Sequence, residues 1–233
     1  MGETKKFKAL VKEKQNLAAN FWCLRLEPEK EVSYQSGQYV SMRVNEDDER
    51  RSYSIASCAE EDSLDLLIDV TPMGKGSKYV LNLEEGDEVD LLGPIGGFVV
   101  EENEGSEGLL FVGTGCGIVP LRSMIHDLLK VKKEKRPIRL HWGMRYEKDL
   151  FWVDHFRNLE SEFPNFQVDI VLSKEDSWSG CTGHIQDCLE KHQNSWKGWE
   201  AYLCGNKKMI GDVKGLLEQK GVDEKSIHFE KFY

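Results

Sequence analysis

The chain has 233 residues, with 31 Lys and Arg against 41 Asp and Glu, a formal net charge of −10, and 39% hydrophobic residues. That length suits one large domain or two smaller ones with cores of their own, and it excludes a repeat array or a disulfide-held mini-protein. The acidic balance repels a polyanion overall, so no general affinity for nucleic acid is expected.

The opening residues, MGETKKFKAL, hold no apolar run of signal-peptide length. No later stretch approaches the ~18 apolar residues of a membrane span, so a cytosolic protein without a membrane partner is expected. Up to about residue 100 the text reads as short strands: Phe7–Val11, Phe21–Leu26, Gln38–Val44, Arg51–Ala56, Leu64–Val70 and Glu88–Leu92. Turn formers such as Ser36-Gly37, Gly86-Asp87 and Gly93-Pro94 separate them, which is the pattern of a small antiparallel barrel. Residues 101–107, EENEGSE, are acidic and poor in apolar groups and read as a connector.

From residue 108 apolar runs alternate with helix-length amphipathic segments, the signature of βαβ units and a parallel sheet. Strands are expected at Gly108–Val112, Ile138–Trp142, Phe166–Leu172, Glu200–Cys204 and Ser226–Glu230, with helices starting near Gly117, Asp149, Gly183 and Asn206. The expected architecture has two domains: an antiparallel β-barrel over 1–100, then an α/β parallel-sheet domain over 108–233.

Three segments could carry chemistry. Gly113-Thr114-Gly115-Cys116-Gly117 follows an apolar strand and opens the helix Ile118–Lys130, where glycines let backbone approach a pyrophosphate and the helix start offers free N–H groups. Ile118 stands where GxGxxG has its third glycine, and no carboxylate ends the second strand; a tight turn without a ligand is the alternative. Arg51-Ser52-Tyr53-Ser54 places a fixed cation and an aromatic plate on one strand face, suited to a phosphorylated aromatic ligand. An ordinary half-buried strand would look the same. Pro72-Met73-Gly74-Lys75-Gly76-Ser77 leads into a short helical stretch, Lys78–Leu83, as a second anion site, and it is not a Walker A loop.

In order and spacing these pieces resemble ferredoxin-NADP reductase and its flavodoxin-reductase relatives over almost the whole chain. The matching segments are RSYS (51–54), GKGS (74–77), GPIGGF (93–98), GTGCGIVP (113–120), HWGMR (141–145), YLCGN (202–206) and the aromatic terminus FEKFY. The resemblance implies FAD as cofactor, with FMN possible. It implies that Arg51 binds the flavin pyrophosphate, Tyr53 lies against the ring and Ser54 hydrogen-bonds near N5. Gly74, Gly76 and Ser77 hold the pyrophosphate from the other side, and Ser52, Val70, Cys116 and Tyr233 complete the flavin set, with Phe232, one residue before Tyr233, as the aromatic cover. By the same resemblance Gly113, Thr114, Gly115 and Gly117 line the pyridine dinucleotide, as do Arg145, Ser173, Lys174, Gly205 and Asn206. Cys204 stands beside nicotinamide C4, and Glu230 precedes Phe232 by two positions. Ser173-Lys174 matches a Ser-Arg pair that grips the 2′-phosphate, so NADP is expected, with NAD possible.

The implied reaction is hydride transfer between nicotinamide C4 and flavin N5, followed by single-electron delivery to a separate ferredoxin or flavodoxin. Two Lys clusters, one at Lys5, Lys6, Lys8, Lys12 and Lys14 and one at Lys130, Lys132, Lys133, Lys135, Arg136 and Arg139, are the candidate docking patches. The alternatives are an NAD(P)H:flavin or ferric reductase and an electron-transfer subunit of a larger complex. The six cysteines (23, 58, 116, 181, 188, 204) contain no CxxC, so neither a disulfide framework nor an iron–sulfur ligand set is expected. Cys181, His184, Cys188 and His192 resemble a zinc constellation, but Ile185, Cys188, Leu189 and His192 also form a helix stripe that assigns Cys188 to a core, and no metal is expected.

Overall fold

The computed structural model describes residues 4–59, 61, 63–101, 103 and 105–232. Tyr233, named above as a flavin contact, lies outside the described residues. The chain divides into two compact units, Met1–Val100 with Arg122–Lys132, and Glu101–Leu121 with Lys133–Tyr233.

The first unit holds β1 (Lys5–Ala18), β2 (Phe21–Pro28), β3 (Tyr39–Arg43), β4 (Arg50–Ser54), β5 (Leu64–Asp69), helix α1 (Lys75–Asn82) and β6 (Glu88–Ile95). The strands pair antiparallel in the order β4-β3-β6-β1-β2-β5. A bridge between Ile55 and Leu66, with the Ala56 N–H donating to the Asp65 carbonyl at 2.7 Å, joins the two outer strands and closes the sheet into a barrel. Alternation fills its interior: Phe7, Ala9 and Val11 of β1 face inward with Leu24, Leu26, Val40, Met42, Leu66, Ile68, Val89 and Leu91. Each such side chain contributes roughly 1.5–3 kcal/mol by leaving water.

β1 runs further than Phe7–Val11 because two register shifts let it bend around the barrel, after Val11 and after Asn16. Helix α1 begins three residues before the expected Lys78, inside the glycine loop itself. The segment Arg122–Lys132 belongs to this unit through hydrogen bonds to the chain after β4: Ser123 Oγ donates to the Ser57 carbonyl at 2.6 Å, and His126 Nδ1 meets Cys58 Sγ at 3.2 Å.

The second unit is a parallel sheet of β7 (Gly108–Thr114), β8 (Ile138–Met144), β9 (Phe166–Leu172), β10 (Cys181–Thr182), β11 (Trp199–Gly205) and β12 (Ile227–Lys231). Their order is β10-β9-β8-β7-β11-β12. The chain therefore moves outward from β7 to β10, then returns to the other side of β7 with β11, so the strand order reverses between β7 and β11. Helix α2 (Ile118–His126) follows β7, its residues from Arg122 on being counted with the first unit, and α3 (Val153–Glu162), α4 (Ile185–His192) and α5 (Lys207–Gln219) make crossovers of this unit. On α5 the buried Met209, Ile210, Val213, Leu216 and Leu217 form one stripe, and the Asn206 side chain accepts from the Met209 N–H at 2.9 Å as its N-cap. The helix expected near Asp149 starts at Val153, after a 3₁₀ turn over Glu147–Asp149 and a left-handed Trp152 at φ 54°.

Candidate functional site

In the first unit, β4 presents Arg51 and Tyr53 on one face, as period two requires. The start of α1 closes over that face. A Cβ on Gly76 would stand 2.6 Å from Tyr53 Oη and 3.0 Å from Arg51 Cγ, so any larger residue here makes the phenol and the arginine stem shift. Gly74 caps the helix without a side-chain hydrogen bond and faces open space, and Lys78 is the first residue whose N–H closes onto the helix, at 3.0 Å from the Gly74 carbonyl. The aliphatic stem of Arg51, the Tyr53 phenol and the start of α1 thus meet at Gly76 beside the open Gly74. The Arg51 guanidinium donates to the Arg50 carbonyl at 2.7 Å; freed from that bond it could join the helix start in receiving an anion attached to a planar group. Ser77 and Ser54 are buried, 7% and 6% exposed. Ser52 is exposed, and the Val70 side chain, just after β5, packs into the barrel core with Ile68, 4% exposed.

In the second unit the ends of β7 and β11 lie side by side at the strand-order reversal, where ligands of open α/β sheets bind. Gly113 of β7 pairs with Cys204 of β11, and Cys204 pairs in turn with Glu230 of β12. The glycines here divide by what surrounds them. A Cβ on Gly117 would overlap the Cys204 carbonyl, one on Gly205 would overlap Thr114 Oγ1, and one on Gly113 would press on Leu121 and Gly117, so these three let two backbone turns touch. Gly115, at φ +56°, faces open space. Its carbonyl accepts from the indole N–H of buried Trp142 at 3.2 Å, a support that the sequence motif did not reveal.

The electrostatics of this end are unusual in three groups. Burial, reinforced by Glu230 and Cys116, pushes the Cys204 thiol well above its ordinary value, so it is a neutral thiol rather than a nucleophilic thiolate. Burial pushes the Glu230 carboxyl up to about 7, and its Oε2 has no hydrogen-bond partner. Thr114 Oγ1 is also buried without a partner. Buried polar atoms left unpaired are costly, so two of them at the ends of nearby strands in one sheet call for a partner. Phe232 follows directly, its N–H donating to the Gly205 carbonyl at 2.9 Å.

At the far ends of β8 and β9, the Ser173 N–H donates to the Met144 carbonyl and the Lys174 N–H to the Arg145 carbonyl, both at 3.0 Å, bringing Arg145, Ser173 and Lys174 together. Glu175 Oε1 accepts from the Glu147 N–H at 3.2 Å, so a carboxylate shares this corner. Asn206 is committed to capping α5 through its side chain.

The Lys-rich segments are less available than their sequence implies. Lys8 pairs with Glu88, Lys12 with Glu27 at 3.0 Å, and the Lys14 ammonium donates to the Leu81 and Leu83 carbonyls at 2.6 and 2.8 Å. Lys132 pairs with Asp127 at 3.1 Å and Arg136 with Glu134 at 2.6 Å. One cysteine expectation is corrected: Cys181 and Cys188 are joined by a disulfide. They stand seven residues apart on β10 and α4, and the α4 stripe turns Cys188 toward the sheet edge that carries Cys181. His184 is not part of that group; it caps α4, its N–H donating to Asp187 Oδ2 at 2.9 Å. No helix among the described residues is long and apolar enough to cross a membrane.

Residues 8–100 match the oxidoreductase FAD-binding domain family and residues 111–215 the oxidoreductase NAD-binding domain family. Among curated proteins, the chain is 35% identical over 218 residues to the F component of the Na(+)-translocating NADH-quinone reductase of Neisseria gonorrhoeae, one of that enzyme's subunits, covering 85% of this chain and 52% of that protein. It is 34% identical to the protein of the same name in Haemophilus ducreyi over 202 residues, 78% of this chain and 48% of the relative. The chain therefore spans about half the length of these relatives. Among solved structures, the Amycolatopsis cytochrome P450 reductase GcoB superposes with a TM-score of 0.92 at 27% identity, over 100% of this chain and 71% of that one. The ferredoxin-NADP+ reductase of Plasmodium falciparum shares the fold, with a TM-score of 0.84 at 21% identity over 97% of this chain and 96% of that one.

Proposed function

Because the chain belongs to the ferredoxin-NADP reductase family of FAD- and NAD-binding oxidoreductases, we propose that it oxidises NADH through a bound FAD. Its electrons would leave singly, to a one-electron acceptor, and the chain would serve as the NADH-oxidising part of a larger electron-transfer assembly. The observation that carries this reading is the group at the β7/β11 reversal: a neutral buried Cys204, an orphaned Glu230 carboxyl and an orphaned Thr114 hydroxyl around an open Gly115.

The residues of the first unit fit FAD. Arg51 and the free N–H groups at the start of α1, over Gly74, Gly76 and Ser77, would neutralise its pyrophosphate, Tyr53 would lie against the ring, and Ser54 would meet its polar edge. When bound, FAD supplies a hydride acceptor that can also give up electrons one at a time. In the second unit Gly115 and Thr114 would receive the dinucleotide phosphates. Cys204 would back the nicotinamide with a small polarizable group that carries no charge. Glu230, ionised, would favour the positive charge that develops on nicotinamide as hydride leaves. Phe232, tied by its backbone to Gly205, would occupy the aromatic position next to these groups, and Cys116 stands where a hydroxyl contact is replaced by a thiol.

For the donor, NADH is favoured over the NADP suggested by Ser173-Lys174. A 2′-phosphate at this corner would meet Glu175, whereas free ribose hydroxyls can donate to that carboxylate. The names of the curated relatives also contain NADH. The assembly reading rests on those relatives being subunits and about twice as long, and it takes precedence over a free-standing ferredoxin or flavodoxin reductase. The test is NADH oxidation by the FAD-loaded chain with a one-electron acceptor such as ferricyanide. Turnover without added free flavin is expected; a rate that depends on added free flavin would put the flavin-reductase alternative first.

A further inference from the structure

Away from the strand-end cleft, at the β10 edge of the parallel sheet, four side chains with metal-ligand chemistry converge: Asp169 of β9, Cys181 of β10, and Cys188 and His192 of α4. One ligand atom from each lies within 4.8 Å of all the others. His192 Nδ1 is 3.0 Å from Asp169 Oδ2, while its Nε2 is 3.7 Å from Cys181 Sγ, so the ring is already wedged between a carboxylate and a sulfur.

A second, independent observation is His141 on β8. It is 1% exposed, its Nδ1 has no hydrogen-bond partner, and that atom points toward Asp169 Oδ2 at 3.8 Å. A buried imidazole nitrogen aimed at a carboxylate that itself faces two sulfurs is difficult to explain by packing alone. It has a purpose if the carboxylate is held for a cation.

We propose that, once the Cys181–Cys188 bond is reduced, Asp169, Cys181, Cys188 and His192 bind one zinc-class divalent cation, with His141 orienting the Asp169 carboxylate. Two thiolates, an imidazole and a carboxylate make a borderline-soft tetrahedral set. In such a site neighbouring ligand atoms stand roughly 3.3–3.8 Å apart, so after reduction the two sulfurs, now bonded, move apart while the more distant pairs draw together. The Cα atoms of Cys181 and Cys188 are 6.0 Å apart, a separation that serves a disulfide and a shared metal equally.

The two states exclude one another. A dithiol reductant supplies two electrons and two protons, giving two Cys–SH groups and the oxidised disulfide of the reductant; the cation then displaces the two thiol protons to solvent. A competing trio, Cys58, Glu61 and His126, is a poorer set, because the Arg122 guanidinium lies 3.9 Å from the Glu61 carboxylate and repels a cation.

The test uses the whole chain, reduced with a phosphine and titrated with Co2+ as a spectroscopic stand-in, then with Zn2+. One ion per chain is expected, with strong sulfur-to-cobalt absorption that Zn2+ abolishes. Cys181→Ser, at a half-buried position, should cut that absorption per bound ion to about half and weaken binding at least about tenfold, since Cys188 alone then supplies a thiolate. His192→Ala and Asp169→Asn, whose side chains are partly in solvent, should weaken binding at least about tenfold, His141→Ala by about 10–100-fold, and Cys58→Ser should change nothing. Circular dichroism of each variant establishes that it is folded. Binding below stoichiometry in the reduced chain, absorption and affinity unchanged in Cys181→Ser, or equal binding by the oxidised chain would overturn the proposal.

Discussion

Cys204 and Glu230 occupy the same register position on the neighbouring parallel strands β11 and β12, so a buried neutral thiol stands beside a carboxyl that ionises near pH 7. In the proposed reaction the ionised carboxylate favours the cation formed on hydride loss. Reduction of the FAD-loaded chain by NADH should therefore accelerate between pH 6 and 8. Glu230→Gln should flatten that profile and slow the step by roughly tenfold or more. Stopped-flow traces across the pH range decide it; an unchanged inflection in the variant would remove Glu230 from the reaction.

The same carboxyl carries a stability signature. Its folded value of about 7 lies above the ordinary 4.5, so the folded state holds the proton more tightly than the unfolded chain does. Its favourable contribution is complete below pH 4.5 and is lost as pH rises through 7. Allowing for partial exposure, Glu230→Gln should gain about 1–2 kcal/mol relative to the parent at pH 8 and almost nothing at pH 4.5. Thermal unfolding midpoints of the two proteins at both values measure the difference.

Gly76 ties the glycine loop to the Arg51/Tyr53 face. In Gly76→Ala the new methyl must displace a phenol and a guanidinium stem, the two groups proposed to hold FAD. Flavin affinity should fall by at least about tenfold while the barrel, whose core is elsewhere, stays folded. Fluorescence titration of the flavin-free protein would read the loss. Unaltered affinity would separate the cradle from flavin binding.

Donor choice centres on Glu175. Glu175→Ser removes a carboxylate from the corner shared with Lys174 and Arg145, and should raise kcat/KM for NADPH by roughly tenfold, with a smaller change for NADH. A parent enzyme that already prefers NADPH would contradict the assignment before the variant is made.

Much of this was legible because hydrophobic period and turn residues are local. The alternation Phe7, Ala9, Val11 and the apolar runs at 109–112 and 200–204 mark the two sheets without any tertiary information. The RSYS face and the glycine loop were found as separate anion sites, and the fold adds that Gly76 joins them. What stayed hidden depends on neighbours far apart in sequence. That the missing side chain of Gly117 admits the Cys204 carbonyl, and that the Val70 side chain packs in the barrel core, shows only in the fold. The cluster at the sheet edge was half visible as Cys181, Cys188 and His192, whereas Asp169 and His141 come from other strands and no spacing rule could supply them. The disulfide was missed for the same reason: a helix stripe explains burial of Cys188 without saying which residue it faces.

The most direct test of NADH oxidation through FAD is the visible spectrum of the purified chain loaded with FAD, followed anaerobically on addition of one equivalent of NADH. One flavin per chain, bleached by NADH much faster than by NADPH, is the predicted result. A chain that takes up no FAD, or whose flavin bands stay unchanged in NADH, would contradict it.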